Sequence, residues 1–144
     1  MIKRNGPVTK ATNFSLIREE EGPAMAQMYR RQRKKRGFDD SETWNLDYTI
    51  ACFLLPRLRR FIELIETHPG IPSTLDSFDR WKDILRKIEW SIKEIAEDEP
   101  ESPEMPDKDD EEAMNLWRSE MERYENRVQD GLSLLGTWFQ HLWW

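Results

Sequence analysis

Residues 44–66 read WNLDYTIACFLLPRLRRFIELIE, and their spacing decides the fold class. Trp44, Tyr48, Ala51, Leu55, Leu58, Ile62 and Ile65 step alternately by four and three, the period of one helix face turned toward a core. Ile50, Leu54 and Phe61 widen that stripe, so the spacing predicts a central helix. Asp39, Asp40 and Ser41 stand ahead of it as candidate N-caps, and Asp39 with Glu42 has capping-box spacing. Pro56 lies inside the pattern and is expected to kink the helix near Cys52 to Leu55. His68, Pro69, Gly70 and Pro72 close it.

The same period recurs on both sides. Downstream, Thr74 or Asp76 is expected to start a helix with Phe78, Trp81, Leu85, Ile88, Ile92 and Ile95 as its stripe. A last stripe runs through Met114, Trp117, Met121, Tyr124, Val128, Gly131, Leu135, Trp138 and Leu142. Unbroken, that helix would reach ~45–50 Å against ~35 Å for the two before it. It is therefore expected to overhang its neighbours or to break at Asp130-Gly131. Upstream, Pro23 suits a first helical turn, residues 24–36 form helix readily, and Gly37 is placed to cap them. Leu and Ile total 23 but Val only 2, and no hairpin signal occurs. The reading is an all-α fold, a bundle of three main helices plus a short basic N-terminal helix. Residues 1–22 read as a flexible tail and residues 23–144 as a single helical domain. Its loop at 98–110, acidic and rich in proline, reads as solvated.

Charge is distributed unevenly along the 144 residues, whose formal net is −6. Residues 1–38 carry net +7 and residues 94–112 net −10, counted from the sequence. The N-terminus lacks an apolar run behind its charges, so a signal peptide is not expected. The longest uncharged apolar stretches fall short of the ~18 residues of a membrane span, so no membrane partner is expected. The single cysteine, Cys52, allows no internal disulfide and fits a reducing cytoplasm.

Six of the seven residues from Arg30 to Arg36 are basic. Arg30, Arg31, Arg33, Lys34, Lys35 and Arg36 form a candidate anion- or nucleic-acid-binding segment, with Tyr29 beside them to stack on a base. The same charges at a helix C-terminus also satisfy the macrodipole. Glu63/Glu66 and Glu94/Glu97 have the Glu-x-x-Glu spacing of the all-α nucleoside triphosphate pyrophosphatases, which hold Mg²⁺ on facing helices. With 17 glutamates in the chain, about two such pairs arise by chance. Asn45 and Asp47 read as polar residues bordering the core, and His141 as a packed histidine. No catalytic residue, metal ligand or cofactor is assigned, and the chain is expected not to be an enzyme. Trp117, Met121, Tyr124, Trp138, Phe139, Trp143 and Trp144 are the candidate interface. From Leu132 on, the last helix is apolar on nearly every side, more than three helices can cover. That predicts a tight partner complex or a homodimer.

The strings WNLDYTIA (44–51), PRL (56–58) and HLWW (141–144) carry a resemblance. Over roughly residues 37–95 and 128–144 the chain resembles a family of small tailed-bacteriophage and prophage proteins to which no activity is assigned. The likeness implies a phage origin rather than a mechanism. As a class, small phage proteins lacking catalytic residues often bind and inhibit host proteins, CRISPR and other defence effectors among them. The resemblance thus implies a protein-binding module acting in the host cytoplasm. The alternatives are a nucleic-acid-binding accessory protein using residues 29–36 and a Mg²⁺-dependent nucleoside triphosphate pyrophosphatase.

Overall fold

The structure is a computed structural model that describes residues 22–68 and 70–143. It is all-α, with four helices and no strand among the described residues. Helix α1 spans Pro23–Arg36, α2 Leu46–Thr67, α3 Phe78–Ile95 and α4 Glu111–Trp138; 3₁₀ turns occupy Asp40–Thr43 and Phe139–His141. The chain divides into two compact units, Met1–Phe53 and Leu54–Trp144. The expected tail at 1–22 lies, apart from Gly22, outside the described residues.

In the first unit α1 begins with Pro23 at its first position and ends on Gly37, whose φ of 84° is left-handed and whose N–H caps the Arg33 carbonyl. Glycine reaches that conformation without the Cβ clash other residues meet. The expected single helix behind Asp39 is split. Asp39 caps a 3₁₀ turn, accepting from the Ser41 N–H at 2.9 Å. Its carboxylate also holds Arg33 and is fully buried. That turn uses up the caps, so α2 proper begins only at Leu46. Trp44 therefore sits ahead of the helix, half-exposed, edge-on to Tyr29 at 6.1 Å. Asn45 and Asp47 are exposed rather than core-bordering.

In the second unit the stripes form a core. Leu55, Leu58, Ile62 and Ile65 of α2 are buried, as are Trp81, Leu85, Ile88 and Ile92 of α3. Burying side chains of this kind stabilises a fold by about 1.5–3 kcal/mol each, before entropy is counted. Pro56 stays inside α2. Ion pairs Arg59–Glu89 at 2.9 Å and Lys82–Glu66 at 2.8 Å flank the α2–α3 seam. Ser77, not Thr74 or Asp76, caps α3 by accepting from the Arg80 N–H. The residues before it are taken up by a turn in which the buried Leu75 N–H reaches the Pro72 carbonyl.

Helix α4, capped by Asp110, packs along α3 and runs unbroken through Asp130-Gly131. Its 28 residues make ~42 Å against ~27 Å for the 18 of α3. Gly131 marks the close approach of the pair. A Cβ there would lie 1.9 Å from Ser91 Oγ and 2.7 Å from the Lys87 carbonyl oxygen. The glycine thus lets two backbones meet rather than breaking the helix.

Candidate functional site

Helix α4 presents two kinds of surface, and the sequence told them apart only in part. Met114, Trp117, Met121 and Tyr124 are half-buried, not an open seam. The acidic segment 98–110, expected to be solvated, meets Trp117, and Glu94 and Trp90 of α3 meet Tyr124. The chain leaves α3 through Glu97 and Glu99, both left-handed with φ near 54° and 52°. It is then tied down at Asp98, Glu101 and Pro103. The buried Glu94 carboxylate accepts from the Glu101 N–H at 2.7 Å and from the Tyr124 hydroxyl at 3.0 Å. Lys93 bridges Glu101 at 2.8 Å and Glu94 at 3.3 Å. Trp117 donates its indole N–H to the Pro103 carbonyl at 3.2 Å. Arg59 reaches Asp98 at 2.8 Å from α2. The segment is a strap over α3 and α4.

The strap shifts its own titrations. Lys93 first, and the Trp90 indole next, hold the Glu101 carboxyl below the usual range. Burial and then the Glu94 carboxylate push the Tyr124 phenol up to about 12. Around them Tyr124 meets Trp90 edge-on at 5.9 Å, and the Arg127 guanidinium lies over the Trp90 ring at 3.6 Å.

The C-terminal end differs. Trp138 is half-buried, edge-on to the fully buried Trp81 at 5.7 Å, with His141 packed on it at 5.5 Å. Two aromatic residues beyond the helix are largely exposed. Phe139 is 63% exposed and Trp143 58%. Leu132, Leu134 and Leu142 are half-covered. Trp144, named with this set, lies outside the described residues. Of the seven candidate interface residues, Trp117, Tyr124 and Trp138 therefore have partners within the fold, Met121 is half-buried, and Phe139 and Trp143 stand open. Alongside, a groove of about 780 Å³ opens between α3 and α4, with Trp90 and Leu134 as apolar lining and Arg86, Lys87, Arg127, Asp83 and Asp130 as charges. Its volume suits a peptide segment or a small ligand.

The basic segment also divides. Tyr29 is 3% exposed and packed on Trp44, so it is not placed to stack on a base, which corrects that assignment. Arg33 is held by Asp39 and Arg36 by Asp40, so these two serve the fold. Gln32 adds a bond to Asp40 at 2.7 Å and accepts from its N–H at 2.9 Å. Arg30, Arg31, Lys34 and Lys35 are exposed.

The carboxylate pairs go to separate partners. Glu63 pairs with Arg60, Glu66 with Lys82, and Glu94 is engaged by the strap. Among the described residues no group of three or more His, Cys, Asp or Glu is placed to hold a metal ion. No described helix is long and apolar enough to cross a membrane. Compared with known proteins, the chain matches no family model, no curated protein and no solved structure.

Proposed function

We propose that this chain is a non-enzymatic protein-binding module of the phage type, acting in the host cytoplasm to inhibit or redirect a host protein. A nuclease of a defence system, bound in an anti-CRISPR-like manner, is the target class that the phage resemblance suggests. The observation that carries the reading is the open aromatic end of α4. Phe139 and Trp143 stand in water within a few residues of Trp138, which the same fold packs against its buried core. A large apolar side chain left exposed forgoes about 1.5–3 kcal/mol of burial. Exposed aromatic residues clustered just beyond a structured helix mark interaction surfaces, and Trp is prominent among binding hot spots.

The test compares the wild-type chain with Phe139→Ser/Trp143→Ser as bait in host lysate. The bound protein is then purified and its own activity is assayed with each chain. The reading expects one host protein retained by the wild type and lost from the double variant, with its activity inhibited or redirected by the wild type alone. Equal retention by both chains, or a retained protein whose activity neither chain changes, contradicts it. If the aromatic end instead meets a second copy of this chain, sedimentation shows a dimer that the double variant dissolves, and the host-protein reading fails.

A further inference from the structure

Four cations on α1 are left over once the fold has used the other two. Arg30, Arg31, Lys34 and Lys35 lie one turn apart in two adjacent rows, over about 140° of the helix surface at 3.6 residues per turn. The opposite side carries Tyr29, Arg33 and Arg36, which are engaged by Trp44, Asp39 and Asp40. Among the described residues none of the four meets a carboxylate.

The bland explanation for basic residues here is the helix dipole, which favours cations only in the last turn. That turn comprises Arg33, Lys34, Lys35 and Arg36, so Arg30 and Arg31 fall outside it. Arg30 with Lys34, and Arg31 with Lys35, are like-charge pairs at the i, i+4 spacing that destabilises a helix. Local stability therefore does not account for the face. A sequence that breaks a local rule without a gain in the fold points to a ligand that supplies the gain.

We propose that this face binds duplex nucleic acid through its phosphates. The charge is complementary, and the Cβ atoms stand about 5–6 Å apart along each row, a spacing from which long side chains can reach successive phosphates of one strand. Binding is to the backbone and not to bases, because the one aromatic ring within the segment, Tyr29, is buried. Stacking on aromatic rings is the usual grip on single strands, and the two cationic rows of α1 carry no ring. An acidic protein is the poorer fit, since protein interfaces have cores depleted of charge and this face is nothing but charge. The Asp39 and Asp40 contacts fix α1 against its turn, so the cations project from a preorganised helix. This site is independent of the aromatic end of α4.

The test is fluorescence anisotropy with a labelled DNA duplex of about 20 base pairs, titrated with the full chain at salt from about 50 to about 200 mM. Four phosphate contacts predict a log–log salt slope of about −3.6, hence a loss of affinity of about 150-fold across that range. Each single variant, Arg30→Gln, Arg31→Gln, Lys34→Gln or Lys35→Gln, is expected to lower the slope by about 0.9. The quadruple variant abolishes binding, while a quadruple exchange of Arg for Lys and Lys for Arg retains it. Circular dichroism checks that α1 persists; if the quadruple variant loses it, the single variants decide through their slopes. No binding by the wild type at low salt overturns the proposal. So do unchanged slopes in the single variants, tighter binding of the same sequence as a single strand, and better competition by polyglutamate than by unlabelled duplex.

Discussion

At Gly131 an added methyl group has nowhere to go, because the backbone carbonyl of Lys87 as well as Ser91 Oγ stands in its way. Gly131→Ala is therefore expected to destabilise the chain by about 1–3 kcal/mol, as overpacking does, in chemical denaturation. Gly136→Ala, five residues on in the same helix with nothing within 4 Å, is expected to stabilise by about 0.5–1 kcal/mol. Ser91→Gly relieves only part of the Gly131→Ala loss, since the carbonyl remains. From the sequence Gly131 reads equally well as a break or as a contact. Only the partner helix decides, and nothing in the local spacing reports it. Tyr124 is a second such residue. Tyr124→Phe removes a donor from the buried Glu94 carboxylate and is expected to cost about 1–3 kcal/mol. The phenol also ionises near 12 in the fold against 10.0 for a free tyrosine. Between those values the unfolded chain has lost a proton that the folded chain keeps. The stabilisation is whole below the lower value and lost as pH rises toward the upper one. Near-ultraviolet titration should show a tyrosine ionising near 12, and Tyr124→Phe should remove it.

The stripes of α2, α3 and α4 were legible because each buries one face on a neighbour, and the 3.6-residue period survives any detail of packing. Their ends were less so. Asp39, Asp40 and Ser41 are all good caps, and a 3₁₀ turn takes up all three before α2 starts. The strap was illegible for a different reason. Its composition is that of a solvated linker, and what holds it lies on α3 and α4: the Glu94 carboxylate, Lys93 and the Trp117 indole. Acid should loosen it. The Glu101 carboxyl is held below its ordinary value by Lys93, so that tie is complete above pH ~4.5 and lost as pH falls through the lower folded value. Hydrogen exchange at the Glu101 amide is expected to accelerate there before the α3 core exchanges. In the first unit Asp39→Ala leaves Arg33 and the Ser41 N–H without their buried acceptor. The expected cost is about 2–4 kcal/mol, moderated because the Arg33 side chain is partly open to water. Exchange in α1 should rise accordingly.

Over the whole molecule, the structure separates residues that carry the fold from residues that the fold does not need. The aromatic girdle predicted from Leu132 onward is of both kinds. Trp138 closes on Trp81, while Phe139 and Trp143 stay open. Sequence could not make that division, because a helix apolar all round does not say how many of its sides a neighbour covers. The basic segment divides the same way, two side chains for the fold and four to spare. On the proposed function, the open aromatic end beyond α4 binds a host protein. The most direct measurement replaces Trp143, and separately the exposed Glu120 of α4, with a photo-crosslinking phenylalanine and irradiates intact host cells. The expected result is a covalent adduct of defined mass to one host protein from position 143 and none from position 120. No adduct at 143, the same adducts from both positions, or an adduct only of twice the chain's own mass would contradict it.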